Sequence, residues 1–146
     1  MDEQLIDDVL LTPLKIIETT GGKVLHAMKK NEPGFEGFGE AYFSIVEHGA
    51  IKAWKRHKHM TLNLVVPVGE IRFVLYDDRA QSSTAFQFFD VTLSLENYMR
   101  LTIPPLIWVG FQGLSSNTNM LMNLSDIPHD PLESDRKQLD EIVYQW

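Results

Sequence analysis

Ile71-Arg72-Phe73-Val74-Leu75-Tyr76 is the stretch that decides the fold. Ile71, Phe73 and Leu75 share one face; Arg72, Val74 and Tyr76 share the other. That is the two-residue period of a strand, not the 3.6-residue period of a helix. Gly69 precedes it and Asp77-Asp78 follows, both turn formers. The same texture runs outward in both directions. Upstream, residues 41–46, 51–56 and 62–68 are rich in β-branched and aromatic types. Downstream, 85–89, 91–95, 99–103, 107–114 and 120–124 continue the pattern. Gly49, Glu96-Asn97, Pro104-Pro105 and residues 115–119 separate them. Many short strands at roughly 8–12-residue spacing predict an all-β, antiparallel sandwich or barrel.

The 146 residues suffice for one domain with a real core. They divide into a segment that is irregular or holds dimer-forming strands (1–40), a β core (41–126) and a tail (127–146). Within the first segment, 5–11 reads as a short helix or strand, and Gly21-Gly22 and 33–39 as turns. In the tail, 132–143 has room for a helical turn or two, and its charges read as a solvated face. Hydrophobic residues make up 44% and charged residues 23%, which excludes a disordered chain. There is no cysteine, so disulfide frameworks, cysteine-zinc sites and thiol chemistry are excluded. No apolar run reaches the roughly 18 residues of a membrane span. The start Met1-Asp2-Glu3 is acidic, unlike a secretory signal, so a cytoplasmic location is expected.

The net charge is −7, from thirteen Lys and Arg against twenty Asp and Glu. Such a field repels nucleic acid and anionic membranes, and neither is expected as a partner. Against that background, Lys52-Ala53-Trp54-Lys55-Arg56-His57-Lys58-His59 stands out. It holds four of the thirteen basic side chains and two of the five histidines. Lys52 and Arg56 suit phosphate or carboxylate oxygens. Trp54 offers a stacking surface for a base or sugar ring. Lys55 or His57 suits a general base, and His59 adds a second imidazole. In a regular strand Lys55, His57 and His59 share one face, and Lys52, Trp54 and Arg56 the other; a bulge reshuffles that. The competing reading is a charged guard on an edge strand.

Other residues carry weaker signals. Tyr42 alternates with Glu40 and Ser44 on one possible strand face toward a pocket. His57, His59 and Asn63 invite a metal, but Asn63 is a poor transition-metal ligand and two histidines make an incomplete set, so no metal is expected. Trp108 and Phe111 read as core or cavity lining. Asp77 and Arg79 read as a structural pair, and His26, His48 and His129 as surface or capping residues. No Gly-x-Ser-x-Gly elbow and no phosphate-binding glycine loop is present.

Gly69-x-Ile71-x-Phe73, Asp77-Asp78-Arg79, Leu93-Ser94-x-Glu96-Asn97, Ile103-Pro104-Pro105 and Gly110-Phe111-x-x-Leu114-Ser115 follow one another in an order that resembles the dTDP-4-dehydrorhamnose 3,5-epimerase family. The resemblance covers roughly residues 41–126. It is nearest a short subgroup in which a Trp-Lys-Arg-His stretch precedes a Met-Thr-Leu-Asn-Leu strand. It implies a cupin-type jelly roll, a homodimer with N-terminal strands exchanged or packed between subunits, and an isomerase of the epimerase or ketoisomerase type. The implied substrate is a nucleotide-linked keto-deoxysugar in surface polysaccharide (lipopolysaccharide) biosynthesis. It implies no cofactor, because the sugar ketone itself acidifies the neighbouring C–H. The alternative is a cupin that binds a sugar nucleotide, or serves structurally, without turnover. The resemblance sets Lys52 at the family's arginine and Lys55 at its histidine base. Its tyrosine acid falls near Ile127-Pro128, with His129 the nearest stand-in, and a further histidine falls at Val109. The carboxylate that orients the base has no counterpart before Trp146. Those departures imply a rebuilt or inactive pocket.

Overall fold

The computed structural model describes residues 5–146, so Met1-Asp2-Glu3 lies outside the described residues. Twelve strands run through them: β1 (Leu10–Pro13), β2 (Ile16–Thr19), β3 (Gly22–Leu25), β4 (Glu40–Val46), β5 (Ile51–His57), β6 (Leu62–Val68), β7 (Ile71–Tyr76), β8 (Phe88–Leu93), β9 (Met99–Ile103), β10 (Trp108–Gly113), β11 (Asn119–Ser125) and β12 (Ser134–Arg136). Ten of them form two five-stranded sheets, ordered β1-β9-β6-β11-β4 and β12-β5-β10-β7-β8, and β2-β3 is a separate hairpin. Named strands pair antiparallel throughout. The all-β jelly-roll sandwich expected from the sequence is the observed architecture.

Three details differ from the expectation. Residues 85–89 and 91–95 are not two strands, because a single β8 pairs along the whole of β7. Residues 5–40 are more ordered than irregular: β1 extends the first sheet beside β9 of its own chain, and β2-β3 follows. The fully buried Arg100 donates to the carbonyls of Ala27 and Pro33, which pins the next loop across the first sheet. The tail is not a solvated helix. Two short 3-10 turns, Pro131–Glu133 and Leu139–Glu141, flank β12, which covers the edge of β5.

The strand period explains the layers. Ile71, Phe73 and Leu75 point between the sheets and join Leu64, Leu101, Ile103, Leu121 and Val109 in the main core. Val74 and Tyr76 point the other way, into a second apolar cluster on the outer face of the second sheet with Trp54, Trp108, Ile142, Tyr144 and Trp146. Both faces of that sheet are therefore covered. Gly69, with φ +80°, makes the turn between β6 and β7, a conformation that side chains resist. Just past β7, Asp77 is wholly buried and accepts hydrogen bonds from Arg79, Ser82 and Thr84.

Candidate functional site

The apolar filling between the sheets does not run their full length. Inward positions on β4, β5 and β11 turn polar: Tyr42 and Ser44, Lys52, Lys55 and His57, and Asn123. Such groups cannot pack dry without partners, so this end of the sandwich stays open to water. The result is a cavity of about 540 Å³, closed by Leu62, Val109 and Phe111 below and by Arg136, Lys137, Gln138 and Glu141 from the tail.

A bulge in β5 decides which cations enter it. β10 pairs Val109 with Lys55 and Phe111 with Lys52, with a register shift between. One residue of β10 thus faces two of β5, and Lys52 and Lys55 both end on the inward side. The regular alternation would have put them on opposite faces. Arg136, opposite Lys55 on β12, joins them from the tail. Lys52, Lys55 and Arg136 form no salt bridge among the described residues, although every other arginine there does, whereas the Lys137 ammonium is turned outward, 5.1 Å from the Trp108 ring centre. Unpaired cations around one open volume make an anion site. Burial, then Arg136, pushes the Lys55 ammonium below its usual value, with Glu133 and Glu40 opposing.

His57 lies two residues beyond Lys55 on the same inward side. Its Nδ1 is 2.6 Å from Oε1 of Glu133. The other carboxylate oxygen accepts the backbone N–H groups of His59 and Met60, at 2.7 and 2.8 Å. Burial raises the Glu133 carboxyl, but these hydrogen bonds outweigh it and hold the group below its ordinary value, hence ionised. An ionised carboxylate only accepts, so Nδ1 carries the proton and Nε2 keeps its lone pair. Burial pushes His57 below its ordinary 6.5, with the Glu133 hydrogen bond and charge working the other way and Lys55 and His129 adding to the fall. The imidazole is therefore neutral at pH 7 and able to take a proton. In a ¹⁵N-histidine titration, His57 is expected to titrate below 6.5. Glu133→Gln removes the two contributions that raise it, so its midpoint moves further down; an upward move contradicts the assignment.

Tyr42 reaches the cavity from β4, on the sheet opposite His57, and burial and then Glu40 raise its phenol, so it stays protonated. The Trp54 segment lines the wall, but its indole is buried in the outer cluster and donates to the Leu139 carbonyl at 3.2 Å. Arg56 is turned outward, between Asp78 and Asp135, with its guanidinium 4.7 Å from the Trp108 ring centre. That corrects its expected place among the ligand-binding groups. His59 is likewise corrected: it is exposed, and only its backbone reaches Glu133. Asn63 is buried away from the cavity, bonded to Thr102 and to the Gly34 carbonyl. His57 and His59 thus do not converge, and no group of three or more metal-ligating side chains occurs among the described residues. Glu133, Arg136, Lys137, Gln138 and Glu141 escaped the sequence reading. The tail's one audible signal is the apolar run Ile142-Val143-Tyr144 with Trp146, which marks a segment that packs rather than a solvated face.

Comparison with known proteins bears on this geometry. The profile of the family described as dTDP-4-dehydrorhamnose 3,5-epimerase matches residues 6–142. A dTDP sugar isomerase from Desulfovibrio desulfuricans G20 superposes with a TM-score of 0.89 at 43% identity, over 92% of this chain and 87% of that one. The probable low-salt glycan biosynthesis epimerase Agl13 of Haloferax volcanii is 26% identical over 92% of this chain and 87% of its own length. The spore coat polysaccharide biosynthesis protein SpsL of Bacillus subtilis is 26% identical over 97% of each.

Proposed function

The chain belongs to the dTDP-4-dehydrorhamnose 3,5-epimerase family, and from that premise we propose that its cavity binds a nucleotide-diphosphate-linked keto-deoxysugar and moves a proton on it. The observation that carries the reading is the carboxylate-held, neutral His57 in a cavity whose other cations are unpaired. Lys52 and Arg136 hold the diphosphate oxygens. The sugar ketone lies between the sheets. His57 Nε2 takes the proton from the carbon beside the carbonyl; the C–H electrons move to the oxygen, forming an enolate. Lys55, on the same face as His57, stabilises that oxygen. As the enolate electrons return to the carbon, Tyr42, on the facing sheet, gives a proton to its opposite face; solvent then takes the proton from His57 and returns one to Tyr42. Nothing is oxidised or reduced, and the net change is inversion at one carbon. His57 is preferred to Lys55 as base because a carboxylate orients it and its ordinary pKa lies near neutrality.

The names of the relatives, a glycan biosynthesis epimerase and a spore coat polysaccharide biosynthesis protein, support a role in polysaccharide assembly. Nucleotide sugars do not cross a bilayer unaided, which fits the cytoplasmic location expected from sequence. No helix among the described residues is long and apolar enough to span a membrane.

The test is incubation in D₂O with a dTDP-4-keto-6-deoxyhexose. Deuterium is expected at C3 or C5 above the buffer control. Binding without deuterium overturns the reaction and leaves a sugar-nucleotide-binding cupin.

A homodimer belongs to the same proposal. Phe43 and Ile45 on the edge strand β4, with Val68 nearby, are 65%, 56% and 43% exposed, an apolar face beside the cavity residue Tyr42. Light scattering is expected to give about twice the 16.8 kDa chain mass. A monomer at micromolar concentration contradicts it.

A further inference from the structure

Trp146 does not line the cavity, yet it lies directly behind the bulge that aims the cavity's lysines. Its ring lies over Gly110 on β10, where any side chain would collide: a Cβ there would stand 2.7 Å from the Ala53 Cβ and 3.1 Å from Cζ2 and Cη2 of Trp146. Ala53 and the neighbouring Trp54 are the residues of β5 that separate Lys52 from Lys55. The Trp146 ring centre is 5.6 Å from that of Trp54 and 5.6 Å from that of Tyr144. Trp54 in turn exchanges two backbone hydrogen bonds with Lys137, at 3.0 and 3.1 Å, and donates its indole N–H to the Leu139 carbonyl. The segment that carries Arg136, Lys137, Gln138 and Glu141 into the cavity wall is thus fastened at Trp54.

That segment has no other apolar attachment. None of residues 131–146 enters the core between the sheets, and its buried or half-buried apolar side chains, Ile142, Tyr144 and Trp146, all lie in the outer cluster. The Trp146 indole N–H is buried without a hydrogen-bond partner. Ring shape therefore holds it, and a phenyl ring can take its place.

We propose that Trp146 is a positioning residue for the cavity: by filling the space behind the β5 bulge it holds the bulge, and the 136–141 segment fastened there, in the arrangement that directs Lys52, Lys55 and Arg136 at one volume. The proposal deepens the anion-binding reading above, but half of its test does not depend on it.

The experiment compares wild type, Trp146→Ala and Trp146→Phe by residue-resolved amide hydrogen exchange and by calorimetric titration with inorganic pyrophosphate. In Trp146→Ala the Trp54 and Lys137 amides are expected to lose at least tenfold in protection, while amides of β6 and β7 keep theirs. Pyrophosphate affinity is expected to fall at least tenfold. Trp146→Phe restores both. A folded Trp146→Ala with both quantities within twofold of wild type overturns the proposal, and so does failure of Trp146→Phe to restore them. If Trp146→Ala does not fold, Trp146→Leu, which keeps apolar volume without a ring, is held to the same criteria. If wild type binds no pyrophosphate, the anion reading falls, and the Trp54 and Lys137 amides alone decide the positioning role.

Discussion

Replacing His57 by asparagine is expected to lower the rate of deuterium wash-in by about 10²–10⁴-fold, the usual worth of a positioned general base. Asparagine keeps a polar group near Glu133 and has no group that takes a proton near neutral pH. The loss should therefore fall on the rate and not on nucleotide affinity, which the proposal assigns to Lys52 and Arg136. Equal wash-in by wild type and His57→Asn removes His57 from the mechanism. The comparison then moves to Lys55, the other inward group whose burial and cationic neighbour bring its pKa down.

The second large effect is on stability. Asp77→Ala is expected to cost about 3–5 kcal/mol, because breaking a buried ion pair leaves the other charge uncompensated. Arg79 keeps Asp8, which is largely exposed, as its remaining salt-bridge partner, and the hydroxyls of Ser82 and Thr84 lose their acceptor. A melting temperature about 10–15 °C lower follows for a chain of this size, measurable by calorimetry or urea unfolding. The pH dependence has a defined sign. Burial alone would raise the Asp77 carboxyl, but hydrogen bonds from Arg79, Ser82 and Thr84 hold it well below the usual carboxylate range. Its contribution is fully present above the unfolded-state carboxylate pKa and is lost as pH falls through the lower folded value. Wild type and Asp77→Ala should therefore converge in stability only in strong acid.

Much of this was legible because strand period survives in a single sequence. The alternation of 71–76 and the turn residues around it fixed β7, and with it both apolar layers. What stayed hidden depends on events that periodicity does not encode. A register shift at residues 53–54 reverses which side of β5 a residue occupies, so Lys52 joined Lys55 while Trp54 and Arg56 turned outward. Glu133 is separated from His57 by 76 positions. Nothing in Pro131-Leu132-Glu133 distinguishes a carboxylate held by two backbone amides from one in water. The tail's acidic residues look like a solvated face because, one at a time, they have surface composition. Only the placement of β12 against β5 shows that Asp135 meets Arg56 while Glu133 meets His57.

The late position of β12 also bears on how the chain is made. The strands of both main sheets, through β11, emerge from the ribosome before residues 134–137, so during synthesis β5 waits as an open edge. An open edge invites pairing with another nascent chain. Arg56, already held by Asp78, and Lys58 lie on or beside that edge, and positive charge there discourages such pairing. When β12 arrives, Asp135 neutralises them, 2.8 Å from Arg56 and 3.9 Å from Lys58. The same two side chains thus serve as a temporary guard and then as the latch for the segment that completes the cavity.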